Sequence, residues 1–164
     1  MGPLREVVQN NPQFLSEGKK DTSIDSIPTG LIQREFEKLK NICCPDVIEQ
    51  AQDLQRVSKQ FADIGDIDKA VEVAHYTESS WCNGNLPNRG NAFAYIINKQ
   101  LESKLPQEAI KIANLMPTGY YEDGGLEKVA YLFSKYQLPD QVDILINKIS
   151  QEHIRNRISK NIAI

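Results

Sequence analysis

Cysteine is scarce: 164 residues hold three, Cys43, Cys44 and Cys82. An odd count with two adjacent members is no disulfide framework, because neighbouring cysteines rarely meet the geometry of a bridge. The scarcity points to a reducing compartment, the cytosol; a pathogen protein delivered into a host cell by a dedicated machine would look the same. Long apolar runs are missing as well. Nothing approaches the roughly 18 residues of a membrane span, and the first residues lack the apolar core of a secretory signal. Met1-Gly2-Pro3-Leu4-Arg5-Glu6 also lacks the Ser or Thr of a myristoylation site, so no membrane partner is expected. Charge of one sign is weak, with 19 basic side chains against 22 acidic ones and a net charge of −3. Such a balance offers phosphate no general attraction and argues against a nucleic-acid partner.

Signatures of chemistry are equally thin. Cys82 and His75 are the one nucleophile and base close in sequence, but catalysis needs an orienting group and an anion site as well. Cys43 and Cys44 with His75 or His153 do not reproduce the Cys-x2–4-Cys or His-x3–5-His spacing of zinc ligands. Gly84, Gly90, Gly119, Gly124 and Gly125 fall at expected helix boundaries, and no Lys-Ser or Lys-Thr follows Gly124-Gly125 to make a P-loop. The acidic pairs Asp66/Asp68 and Glu122-Asp123 stand at expected helix starts, where a carboxylate complements the helix dipole. No cofactor and no metal is expected, and the chain reads as a non-enzyme.

What the sequence does contain is repetition. Apolar residues make up 40% and charged residues 25%, ordinary for a globular chain. The stretch Leu105-Pro106-Gln107-Glu108-Ala109-Ile110-Lys111-Ile112-Ala113 returns 33 residues later as Leu138-Pro139-Asp140-Gln141-Val142-Asp143-Ile144-Leu145-Ile146. Shifted back by 39, from Gln107 onward, it reads Asp68-Lys69-Ala70-Val71-Glu72-Val73-Ala74-His75-Tyr76. Periods of this size predict stacked helical hairpins, in which no unit buries its apolar face alone. Helical spacing predicts elements over 31–42, from Pro45 to Ile64 along Val47, Ala51, Leu54, Val57 and Phe61, and over 91–103 along Phe93, Ile96, Ile97 and Leu101. Pro106 and Pro139 open further helices, and Leu126, Val129, Ala130 and Phe133 mark another that Gly124-Gly125 should delay. A final segment, 153–164, places Ile162-Ala163 where Val129-Ala130 stood. No stretch alternates with period two, so no sheet is expected. Residues 1–30 are polar and punctuated, a mobile or loosely docked arm before a helical-repeat domain over 31–164.

Two helices per unit at 33 to 39 residues resembles the tetratricopeptide-like and HEAT-like repeat superfamily, over 57–164 and less closely 31–56. Ala70, Ala74, Ala109, Ala113 and Ala130 stand where close helix packing favours small side chains. The tetratricopeptide signature Trp-x2-Leu-Gly-x2-Tyr is absent, and so is a recognisable clamp for a peptide carboxylate. The fold this resemblance implies is all-α: a right-handed α-solenoid of antiparallel hairpins with seven or eight helices. The function it implies is binding a protein or peptide across the solenoid surface.

The longer helices turn Asn91, Tyr95, Asn98, Lys128, Tyr131 and Lys135 away from the core, a set suited to hydrogen bonding a peptide or partner helix. Trp81, the one tryptophan, joins them as a loop aromatic that either anchors a partner or folds over its own hairpin. The pair Tyr120-Tyr121 in the next such loop favours packing. Ile154, Ile158 and Ile162 need a neighbour: either the last helix packs back on Leu145 and Ile149, or an unshielded end seeks a homodimer or a partner. A small acidic chaperone for an exported client, and a cysteine-dependent enzyme acting through Cys82, stand as alternatives to the interaction module.

Overall fold

The computed structural model describes residues 29–40, 47–79 and 90–162. The arm expected over 1–30 lies outside them except for Thr29 and Gly30, which belong to the first helix and not to an arm; the three cysteines and Trp81 lie outside them too. By its contacts the chain divides into Met1–Leu31 and Ile32–Ile164, and the second unit carries the helical core. The described residues form eight α-helices and no strand: α1 (Thr29–Lys40), α2 (Val47–Asp63), α3 (Ile67–Ser79), α4 (Asn91–Glu102), α5 (Pro106–Asn114), α6 (Asp123–Lys135), α7 (Pro139–Lys148) and α8 (Glu152–Ile162), with a single 3₁₀ turn over Tyr120–Glu122 before α6. The chain is therefore all-α over this span, and none of its helices is long and apolar enough to cross a membrane.

Three tight turns join α2 to α3, α4 to α5 and α6 to α7, and they are built alike. Each pivots on one left-handed residue: Gly65 (φ 87°), Lys104 (φ 62°) and Gln137 (φ 61°). The pivot N–H donates to the carbonyl three residues back, in Ala62, Leu101 and Ser134. The following N–H, of Asp66, Leu105 and Leu138, donates five residues back to Phe61, Gln100 and Phe133, at 2.8–2.9 Å. These bonds satisfy the carbonyls that a helix C-terminus leaves open and turn the chain back on itself. The next helix then begins at once. Asp66 Oδ1 caps α3 by accepting from the Lys69 N–H at 3.2 Å, whereas Pro106 and Pro139 start α5 and α7 where no N–H is required. Lysine and glutamine hold a conformation that suits glycine, so Lys104→Gly combined with Gln137→Gly should raise stability by about 1–2 kcal/mol, a Tm gain of roughly 4 °C in thermal denaturation. An unchanged or lowered Tm would contradict this account of the turns.

Each of α2, α4 and α6 packs against its hairpin partner α3, α5 or α7, and α2, α4, α6 and α8 also touch one another in that order. Between them lies one apolar core in which Phe36, Phe61, Phe93 and Phe133 are fully buried together with Leu54, Ile96, Ile97 and Leu126. Small residues let the shorter helices approach: Ala70, Ala74, Ala109 and Ala113 are buried at matching positions of α3 and α5. Two buried polar side chains find backbone partners. Ser58 Oγ donates to the Ala70 carbonyl at 2.7 Å, and Gln50 Nε2 donates to the Leu39 carbonyl at 2.7 Å, tying α2 to α1.

Three expectations need correction. Gly124-Gly125 does not delay α6, which starts at Asp123 and carries both glycines in its first turn. The last helix is out of step with the 33-residue period. α8 lies where the segment 153–164 was expected, but only Ile149–Gln151 separates it from α7, so Ile154 and Ile158 are its buried residues and Ile162, at its end, is half-buried and does not take the place of the buried Val129. Tyr120 and Tyr121 do not pack on the core either. They stay 65% and 55% exposed and meet each other edge to face, ring centroids 5.3 Å apart.

Candidate functional site

The six candidate residues that fall within the described span sit on α4 and α6, the middle members of the row α2, α4, α6, α8. Amphipathic spacing puts them there: the apolar stripe faces the hairpin partner, and the polar positions are left on the other side. Lys135 is exposed and the other five are half-buried. Most are engaged with a neighbouring helix of the row. Tyr95 Oη donates to Asp63 Oδ1 of α2 at 2.5 Å, and Lys99 Nζ pairs with the same oxygen at 3.1 Å. Lys128 Nζ donates to Asn91 Oδ1 at 2.6 Å, joining α6 to α4. Tyr131 Oη accepts from Asn161 Nδ2 of α8 at 2.9 Å. Asn98 bonds within its own helix, to Glu102 at 2.9 Å, and the Lys135 ammonium lies 5.8 Å from the Tyr136 ring.

The row is thus stitched by polar rungs from α2 to α8. The strongest by geometry is Glu127 with Arg157, whose Nε and Nη2 donate to the two carboxylate oxygens at 2.8 Å each. Sequence reasoning singled out Tyr95 and Tyr131 but not their partners Asp63 and Asn161, nor the Glu127–Arg157 pair. A signal was present: Asp63 and Tyr95 are 32 residues apart and Glu127 and Arg157 are 30 apart, close to the repeat period. Complementary polar residues about one period apart thus meet across neighbouring helices of the row.

Electrostatics assigns these groups their states. The hydrogen bond to Asp63, helped by burial and by the charges of Asp63 and Glu102, pushes the Tyr95 phenol up to about 12. It is a neutral donor at any physiological pH. The Arg157 hydrogen bonds hold the Glu127 carboxyl below its ordinary value against the opposing effect of burial, with Tyr131 adding a bond of its own. His75, whose ring meets Phe93 edge to face at 5.1 Å, is pushed down by burial. The face therefore offers phenols, amides and cations.

A second cluster centres on Asp123, which sequence reasoning placed only at a helix start. Asp123 opens α6, yet its carboxylate does not cap that helix. It reaches the junction of α7 and α8 instead and accepts from the Ser150 N–H (3.0 Å), Ser150 Oγ (2.7 Å), the Gln151 N–H (2.9 Å) and Gln151 Nε2 (3.0 Å). Its side chain is fully buried. Arg155 Nη1 answers from the other side by donating to the Ile149 and Ser150 carbonyls at 2.7 and 3.0 Å. Burial pushes the Asp123 carboxyl up, and the bonds from Ser150 and Gln151 outweigh it, leaving the group below its ordinary value. Among the described residues no group of three His, Cys, Asp or Glu side chains is placed to hold a metal ion. Comparison of the chain with protein-family models, with curated proteins and with solved structures returns no match.

Proposed function

We propose that the hairpins form a right-handed α-solenoid and that this is a non-enzymatic protein-interaction module. It holds a peptide or partner helix against the outer face of α4 and α6, with Asn91, Tyr95, Asn98, Lys128, Tyr131 and Lys135 as contacts. One observation carries the reading: α2, α4, α6 and α8 touch in sequence order, and the side of α4 and α6 away from the core is polar, half-exposed and rich in Tyr, Asn and Lys. The rungs fix those side chains in advance, which lowers the entropy lost when a partner docks. Asn98 and Lys135 take no part in the rungs between helices, so they separate binding from folding. Asn98→Ala with Lys135→Glu should cut retention of captured proteins from native lysate at least tenfold while Tm stays within about 2 °C of the parent. Undiminished retention would overturn the assignment of this face.

The exposed Tyr120–Tyr121 pair, with Leu115 53% exposed in the same loop, favours a second reading. Apolar groups left in solvent suit a chaperone that holds an exported client. Co-purification of a client that is lost on Tyr120→Ser with Tyr121→Ser, and kept in the Asn98 and Lys135 variant, would select it.

A further inference from the structure

Resting on the reading that α4 and α6 present the interaction face, we propose that the partner is an acidic peptide segment. It lies extended across α2, α4 and α6 and sets side-chain carboxylates against Lys59, Lys99, Lys128 and Lys135. Tyr95 marks the first seat. The Lys59 ammonium, from α2, stands 5.5 Å from its ring, and the Lys99 ammonium, from α4, stands 5.6 Å from it. The carboxylate beside them, Asp63, is already shared, since one oxygen takes both the Tyr95 hydroxyl and Lys99. One carboxylate among two ammoniums leaves the seat positive. The second seat is one helix further along the row, where Lys128 and Lys135 lie two turns apart on α6 with Tyr131 between them. Glu127, the acid next to Lys128 in the chain, has both oxygens taken by Arg157.

Charge complementarity identifies the occupant. With Glu127 and Arg157 cancelling, the four lysines are set against Asp63 and Glu102, a surplus of two positive charges on a chain whose net charge is −3. On the hairpin partners α3, α5 and α7 the carboxylates outnumber the ammoniums. The patch stops toward α1, where Arg56 is held by both Glu35 and Asp53. Among the described residues neither Lys59 nor Lys135 pairs with a carboxylate; each lies near a tyrosine ring, of Tyr95 and Tyr136. An exposed ion pair is weak alone, so recognition requires several at once. The spacing of the seats suits a peptide. Packed helices have axes about 8–10 Å apart, and three residues of polyproline II chain advance about 9 Å and return the side chain to the same side. Acidic residues three apart therefore meet successive seats. Seats spread over three helices call for side-chain carboxylates and not for a chain terminus. Asp63 and Glu102 repel an unbroken polyanion such as a nucleic acid, whereas a peptide passes them with uncharged residues.

Selection of random dodecapeptides on the immobilised full chain tests this. Binders that depend on the face, meaning those lost on Asn98→Ala with Lys135→Glu, should hold Asp and Glu at roughly threefold or more their frequency in the library, at positions three apart. A synthetic peptide of the prevailing sequence should lose roughly fivefold in affinity when its acids become amides. The loss should be as large when the chain carries Lys59→Met with Lys135→Met, which keep the apolar stems and remove the charges. Affinity for the unaltered chain should fall several-fold between about 0.05 M and about 0.5 M salt. Face-dependent binders without an excess of acids overturn the acidic partner and leave the interaction face standing; the absence of any face-dependent binder overturns both. Tighter binding of single-stranded oligothymidylate than of the selected peptide also overturns the proposal. Should the Lys→Met variant fail to fold, the salt series on the unaltered chain decides, and an affinity independent of salt overturns it.

Discussion

Gly90→Ala should lower stability by about 3–5 kcal/mol, the sum of left-handed strain and of forced overpacking. Gly90 precedes α4 at φ 83°, where an L side chain is strained wherever it sits. A Cβ there would stand 2.2 Å from Gly125 Cα and 3.3 Å from Gly125 N and C, in the first turn of α6. These are backbone atoms, so no rotamer change relieves the contact and the two helices must separate. Gly65 serves as the control. It has the same backbone sign at φ 87°, but nothing lies within 4 Å of the place its Cβ would take, so Gly65→Ala should cost only about 1–2 kcal/mol. Urea denaturation of the two variants side by side measures the difference. Equal losses would show that the close approach of α4 and α6 carries no energy of its own.

Asp123→Ala should cost about 3 kcal/mol, because it removes a charged acceptor and leaves the Ser150 and Gln151 donors facing a buried gap. Asp123→Asn should recover part of this, since an amide oxygen still accepts but its NH₂ meets donors. The loss should also depend on pH in a defined sense. The carboxyl titrates lower in the folded chain than in the unfolded one, so its contribution is complete above the unfolded value, 3.8. That contribution disappears as the pH falls through the lower folded value. Wild type and Asp123→Asn should therefore differ most above about pH 4.5 and converge in stronger acid. Chemical denaturation across that range provides the test, and a gap that persists unchanged at the acid end would show that the carboxylate charge contributes nothing at the junction. Hydrogen exchange should place the damage in α8 first, because that helix depends on the junction for its position.

Much of the helical order could be read directly from residue spacing. The stripe Phe93, Ile96, Ile97 and Leu101 is buried as its periodicity requires, and Pro106 and Pro139 open helices because their missing N–H is harmless at that position. Gly65 announces its turn. Lys104 and Gln137 do not, because the left-handed pivot there is held by the turn's own hydrogen bonds and not by the residue type. Spacing places α8 within a residue of its start, but the period misaligns its interior: Ile162 does not take the buried place of Val129, because the loop before α8 is shorter than the one before α6. The site divides in the same way. Tyr95 and Tyr131 stand out as aromatics on a polar face, but their partners lie one unit away in sequence and become neighbours only when helices stack. Asp123 looks like a helix cap by position, and it is the fold that points its carboxylate across to Ser150 and Gln151. Gly125 is legible only as a small residue until Gly90 is found against it.

The matched bends have a bearing on how such a chain can grow. Leu105 and Leu138 leave their turns at φ −118°, ψ 63° and φ −117°, ψ 67°, so the stretch running from Leu105 through Gln137 begins and ends in the same backbone attitude. A tandem duplicate of that stretch could be spliced in at Leu138 without bending either junction away from its present torsions.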